Sequence, residues 1–435
     1  MSDIRPAIDA IWRIESAKII AVLSRMLRDV GLAEEFAQDA LVAALERWPQ
    51  EGMPDQPVAW LMTVAKRRAL DYLRKQQMMQ RKHEEIGQEL EAEQQRVLDD
   101  SDSSVLLDEL DDSQAMIDDD LLRLIFIACH PVLGTEAQVA LTLRLVGGLT
   151  TMEISRSFLV AEATIAQRIV RAKRILKEAC VPFALPAREE LHSRLASVLS
   201  VLYLIFNEGY AATMGADWMR PALCEEALRL GRILAGLMPQ DPEVHGLVAL
   251  MEIQASRFHA RVDTKGAPIL LLEQERSRWD HVLIQRGLAA LKRVEDLGKG
   301  YGPYALQAAI ASCHARAYRA ELTDWQRISV LYDALLALMP SPVVALNRAV
   351  AISMASGPAQ GLAALDELQG EAALSHYHLL PSVRGDFLFK LARYAEAQCE
   401  FERAAALTQN SRERDLLLAR ADDCKGKVLV ETFYQ

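Results

Sequence analysis

Between residues 9 and 75 apolar side chains return at helical spacing. Ile11, Ile14, Ile19, Val22, Leu23 and Met26 mark a first helix. "GLAEEFAQDALVAALERW" (31–48) reads as a second amphipathic helix, ending before Pro49, and "PQEGMPDQP" (49–57) as a proline-rich loop that breaks any helix. "VAWLMTVAKRRALDYLRKQQ" (58–77) begins a third. Trp60, Leu61, Val64, Leu70 and Leu73 can bury one side of it, while Lys66, Arg67, Arg68, Arg74 and Lys75, with Tyr72 among them, form a basic polar face. The period lapses over 78–118, where Gln, Glu and Asp predominate, so a flexible linker with a helical start is expected there. Order returns at Asp119 with "DDLLRLIFIACHPVL", then "TEAQVALTLRLVGGLT", then "TTMEISRSFLVAEATIAQRIVRAKRIL" (150–176), which has the pattern of two short helices around a turn.

Beyond Pro182 the chain stays helical, with breaks near 214–221, 239–242, 263–268, 298–303, 340–342 and 357–358. "NRAVAISMASGPAQGLAALDEL" (347–368) and "VRGDFLFKLARYAEAQCEFERA" (383–404) resemble each other at a displacement of about 36 residues, close to the 34-residue period of tetratricopeptide helix pairs. The most apolar run, Leu195 to Phe206, is too short for a membrane span of roughly 20 residues and reads as a buried helix.

Composition fits this pattern. Apolar residues make up 51% of the 435 and aromatics 6%, with few β-branched runs, which favours an all-α protein of several domains. Met1 to Arg5 lacks a secretory start, and six dispersed cysteines without a CxxC pair read as reduced thiols, so a cytoplasmic location without membrane association is expected. The net charge of -11 at first argues against a nucleic-acid partner, but its distribution reverses that reading. Residues 1–75 hold 11 basic and 11 acidic side chains, 84–120 hold 1 and 15, and 121–180 hold 8 and 4. A single acidic segment supplies the deficit and leaves the flanking segments free to bind DNA.

Within the 150–176 stretch, Thr150 or Thr151 can cap a helix, with Glu153 in its first turn. Ile165, Ile169, Ala172 and Leu176 make a buried stripe on the second helix. Glu162 and Thr164 lie at its start, where a major-groove helix touches base edges, and Gln167, Arg168, Arg171, Lys173, Arg174 and Lys177 cover the other faces. These residues suit phosphate contacts; they equally suit a solvated face on an ordinary helix. Leu159 stands where a helix-turn-helix usually has glycine, so an altered turn, lengthened or tightened around Val160, is expected. The 58–77 helix leaves the same two alternatives open.

The order of these elements resembles the bacterial RNA polymerase sigma factors, specifically the extracytoplasmic-function class of the sigma-70 family, which keeps only regions 2 and 4. The resemblance runs through "AEEFAQDALVAALERW", "QPVAWLMTVAKRRALDYLRKQ" and "TMEISRSFLVAEATIAQRIVRAKRIL". "LYLIFNEGYAAT" (202–213), "LLEQERSRWD" (271–280), "TDWQRISVLYDALL" (323–336) and "SPVVALNRAVA" (341–351) carry it into a subgroup with a C-terminal tetratricopeptide-like extension. It implies region 2 over 1–77, an acidic linker over 78–118, a region 4 helix-turn-helix over 119–180 and a regulatory extension over 181–435. The implied partners are core RNA polymerase, through its β′ clamp helices and β flap, and promoter DNA, with a protein or small-molecule signal at the extension. Glu34, Glu35, Gln38 and Asp39 would meet the polymerase. Trp60, Lys66, Arg67, Arg68, Tyr72, Arg74 and Lys75 would hold the melted −10 element beside the 49–57 loop. Glu162, Thr164, Gln167, Arg168, Arg171, Lys173 and Arg174 would face the −35 element. The acidic linker would imitate nucleic acid in a basic polymerase channel.

No enzyme, cofactor or metal is implied. Asn207, Glu208 and Tyr210 read as hydrogen-bonded struts, with a small-ligand pocket as the alternative. His259, Arg261, Asp263, Glu273 and Asp280 read as charges packing a loop onto the helices, since no nucleophile-base spacing, HExxH or phosphate loop accompanies them. Cys129-His130 and Cys313-His314 are adjacent pairs whose side chains diverge on a helix, which disfavours a metal site. Two rival readings are a stand-alone DNA-binding regulator on a repeat scaffold and a C-terminal domain that binds a small molecule.

Overall fold

The computed structural model describes residues 4–91, 114–158, 160–210, 219–263 and 268–434, except 369, 372, 373, 376 and 409. All regular structure among them is helical, apart from an isolated antiparallel bridge between Val262 and Pro268. Internal contacts divide the chain into two units, Met1–Val201 and Leu202–Gln435.

The N-terminal unit holds α1 (Arg5–Leu27), α2 (Val30–Glu51), α3 (Pro57–Glu91), α4 (Gln114–Ala128), α5 (Thr135–Leu145), α6 (Thr151–Phe158), α7 (Glu162–Glu178) and the start of α8 (Leu191–Tyr210). Around α1 pack α2, α3, α4 and α5. Its buried face is Ile8, Ile19, Ile20, Val22 and Leu23, whereas Ile14 is 59% exposed. At about 100° per residue Ile14 lies some 140° around the axis from Ile19, so an apolar residue in the run need not share the core stripe. α1 ends on Arg28 in the left-handed region (φ 52), and Asp29 then caps α2 by accepting from Gly31 and Leu32.

α2 does not stop before Pro49. It runs on to Glu51, because proline in a last turn loses only one helical donor, and Gly52 (φ 89) ends it. The loop therefore shortens to 52–56, with Pro57 as the first residue of α3. α3 buries Leu61, Ala65 and Ala69, at strict four-residue spacing, while Trp60, Val64, Leu70 and Leu73 are half-buried at its edges. The helix continues to Glu91, so the first part of the expected linker is helical; 92–113 lie outside the described residues.

The C-terminal unit holds the rest of α8, then α9 (Pro221–Leu237), α10 (Pro242–Ala255), α11 (His281–Leu297), α12 (Pro303–Arg316), α13 (Trp325–Leu338), α14 (Pro342–Ser356), α15 (Pro358–Asp366), α16 (Leu379–Lys390), α17 (Tyr394–Leu407) and α18 (Ser411–Tyr434). Local signals set these starts. Proline opens α9, α10, α12, α14 and α15, and Asp241, Asp280 and Asp324 accept amide hydrogens at the starts of α10, α11 and α13. From α12 to α18 each helix packs on the next, and the two similar segments form the pairs α14–α15 and α16–α17. α10 packs on α9, α11 and α12. Gly246 lets it approach α12 closely, since a Cβ there would lie 2.6 Å from the Ala305 nitrogen.

Candidate nucleic-acid interface

The 150–176 stretch folds as α6, a turn and α7. Thr150 caps α6: its hydroxyl accepts from the Glu153 amide at 3.1 Å, while Glu153 accepts from the Thr150 amide at 2.7 Å. This reciprocal box satisfies donors that the helix itself leaves open. Thr150→Ala should cost about 1 kcal/mol of local stability. Amide exchange across 151–158 checks this, and unchanged protection would rule out a stabilising box.

The turn is closed by Ser155. Its carbonyl accepts from the Val160 amide at 3.1 Å, and its hydroxyl donates to the Val160 carbonyl at 2.7 Å. Leu159, where an altered turn was expected, lies outside the described residues. α7 then buries Ile165, Ile169, Ala172 and Leu176. On the side opposite that stripe, Thr164, Gln167, Arg171 and Arg174 recur every three or four residues, and all are exposed. Glu162 is exposed at the helix start and accepts from the Thr151 hydroxyl at 3.1 Å. Arg168 is half-buried and paired with Glu136 of α5 at 2.5 Å.

Lys173 turns elsewhere. It pairs with Glu34 of α2, which also accepts from Arg144 of α5 at 2.6 Å and from Gln38 at 2.7 Å. One turn further along α7, Lys177 pairs with Asp29 at 2.8 Å. Partial burial pushes the Asp29 carboxyl up, but Lys177 and the Leu32 and Gly31 amides more than offset this and hold it below its ordinary value. Between α1 and α4, Asp120 is fully buried and accepts from Arg25 (2.7 Å) and Arg123 (2.6 Å). There burial wins over the two guanidinium groups, and the carboxyl lies above its ordinary value. The end of α7 thus sits on the start of α2. Of the four residues read as polymerase contacts, Glu35 is exposed, Gln38 and Asp39 are half-buried, and Glu34 is buried under α5 and α7.

On α3, Arg67, Arg74 and Lys75 are exposed and Lys66 is half-buried. Arg68 pairs with Asp39 of α2. Tyr72 leans on Phe36 with ring centres 5.5 Å apart, and Trp60 meets Trp48 edge-on at 5.4 Å. Both aromatic residues keep partly open rings beside the basic side chains. Burial of Trp48 in α2 fixes Trp60 at the mouth of the 52–56 loop.

Residues 13–78, which contain α2 and most of α1 and α3, match the family model of sigma-70 region 2, and residues 194–295 match that of a family of unknown function, DUF6596. An uncharacterized protein of Rhizobium meliloti (strain 1021) is 43% identical over 93% of this chain and 92% of its own length. The probable ECF RNA polymerase sigma factor SigI of Mycobacterium tuberculosis is 26% identical over 43% of this chain and 60% of its own length. The ECF RNA polymerase sigma factor SigK of Mycobacterium sp. (strain KMS) is 29% identical over 39% and 81%. The chain belongs to the extracytoplasmic-function class of the sigma-70 family. Its role is that of a sigma factor in transcription initiation, and its C-terminal extension begins with a DUF6596 domain over residues 194–295. Among the described residues no helix is long and apolar enough to cross a membrane. Ser155, Asp29 and Arg144 were missed as functional positions by sequence reading. Only Ser155 had a local signal, as a short polar residue of the turn-forming kind within the expected helix-turn-helix.

Proposed function

We propose that this sigma factor directs core RNA polymerase to promoters by reading the −35 element with α7 and holding the melted −10 element along α3. The observation that carries the first part is the exposed row Thr164, Gln167, Arg171 and Arg174, presented by a capped α6 and a Ser155-closed turn. For the second part, Arg67, Arg74 and Lys75 offer charge to phosphates, and Trp60 and Tyr72 offer ring faces to unstacked bases. Extruding a base costs a few kcal/mol, which stacking and phosphate contacts must supply. The polymerase clamp would dock on the face of α2 that carries Glu34, Glu35, Gln38 and Asp39. Because α7 covers Glu34, full docking would require α7 to move off α2. The extension would regulate activity in cis.

Run-off transcription with core polymerase and the full chain tests this. Arg171→Glu should reduce promoter-dependent output roughly 10- to 100-fold and lower the salt slope of DNA binding by about 1 or more. DNA binding without any run-off product or co-purification with polymerase would favour a stand-alone regulator instead. In the same assay, removal of residues 202–435 raises output if the extension inhibits and lowers it if the extension activates. Equal output would overturn regulation in cis. The cut is placed after Val201 because Arg194 donates to the Phe126 carbonyl at 3.0 Å inside the N-terminal unit.

A further inference from the structure

The C-terminal unit holds a partly open cavity of about 250 Å³ between α8, α10, α12, α13 and α14. Leu250, Ile253 and Ile310 make its apolar wall, and Tyr203, Tyr332 and Arg257 enter from other sides. Arg257 donates Nε to Gln274 at 3.2 Å and Nη1 to Gln254 at 3.0 Å, both neutral amide oxygens. No carboxylate lies within ion-pair distance of it among the described residues, and its Nη2 has no hydrogen-bond partner among them. Behind it, buried Arg276 is likewise held by neutral acceptors: the His314 and Ala317 carbonyls and the Thr323 hydroxyl. Glu321 acts on Arg276 only from a longer range. The two guanidinium groups lie 5.5 and 5.1 Å from the ring centre of buried Trp279. His314, 9% exposed, lines the cavity with its Nδ1 buried and unpartnered. Burial, then the charges of Arg257 and Arg276, keep this ring neutral down to about pH 3.

Buried cations are ordinarily paired, because leaving water costs several kcal/mol per ion and an opposite charge must offset it. Here buried Arg276 and half-buried Arg257 share a site with aromatic rings, amides and a neutral imidazole, and the cavity adjoins Arg257, the one with an open donor. We infer that this cavity is a binding site for a small monoanionic carboxylate with an apolar body. The guanidinium fork suits a planar carboxylate. The apolar wall takes the remainder, and the neutral tyrosine hydroxyls and His314 supply further hydrogen bonds. A single cation among the lining residues fits one negative charge better than a phosphate dianion, and the volume lies below that of drug-sized sites.

The test is a thermal-shift and calorimetric titration of the full chain with benzoate and hexanoate, using benzamide and inorganic phosphate as controls. Saturable stabilisation by a carboxylate and none by benzamide is expected. Arg257→Gln should weaken carboxylate binding at least tenfold. Tyr332→Phe, which leaves the arginine pair in place, should weaken it several-fold and covers the case in which Arg257→Gln fails to fold. Equal stabilisation by benzamide, a preference for phosphate, or no stabilisation by either carboxylate at millimolar concentration overturns the assignment.

Discussion

Glu34→Ala should loosen the N-terminal unit by about 3 kcal/mol. Glu34 is 4% exposed and is the shared acceptor for Arg144, Lys173 and Gln38. Its removal leaves two cations side by side, each about four-fifths buried, with no anion between them. The loss exceeds that of an exposed pair, worth 0–1 kcal/mol, because the remaining charges stay desolvated. Arg144 keeps one bond, to the Leu149 carbonyl at 3.1 Å, which caps the damage. Glu34→Gln retains an acceptor and should cost about half as much. Amide exchange in α2 and α7 of the full chain is the suitable measurement, since a chain of two units need not unfold in one transition. A fall in protection of about 100-fold is expected for alanine; a change under twofold would mean that α7 is not held there. Lys173→Gln removes the α7 contact with Glu34 still present, so it separates the loss of the contact from the loss of a carboxylate proposed to meet the polymerase.

Gly246→Val should destabilise the C-terminal unit by about 3 kcal/mol or more. A Cβ at this position would sit 2.6 Å from the Ala305 nitrogen, 2.9 Å from its Cα and 3.1 Å from its Cβ. Backbone cannot swing aside as a long side chain can, so α10 and α12 must separate. α10 also packs on α9 and α11, so the shift spreads. Even Gly246→Ala should be destabilising, although alanine in an open helix gains about 0.5–1 kcal/mol over glycine. Gly236, helical and with nothing within 4 Å of its Cβ position, is the control and should show that gain. Urea unfolding followed by circular dichroism distinguishes these cases. Stabilisation by alanine at 246 equal to that at 236 would contradict the close helix crossing.

Local chemistry was legible from the chain alone. The capping Thr150 and the Ile165–Leu176 stripe act within a few residues, and the sequence displays them directly, whereas Asp280, read as a loop charge, caps α11. The exposed row on α7 followed from the same periodicity. Placement across distance was not legible. Nothing in the spacing of Lys173 and Lys177 distinguishes them from Arg171 and Arg174; only the packing of α7 against α2 turns Lys173 inward and gives the exposed Lys177 its partner Asp29. Glu34 looked like a surface acid for the same reason. Pro49 misled in the other direction, because a proline near a helix end removes one donor without ending the helix.

The two sides of α7 have a consequence for how such a protein can diverge. Thr164, Gln167, Arg171 and Arg174 are exposed, while Lys173 and Lys177 are committed to Glu34 and Asp29. Under the proposed promoter reading, substitutions in the first set would retune which sequence is preferred without disturbing the second. If the exposed row reads the promoter as proposed, specificity and architecture lie on separate faces of one helix, and a lineage could exchange its target genes while inheriting the scaffold intact.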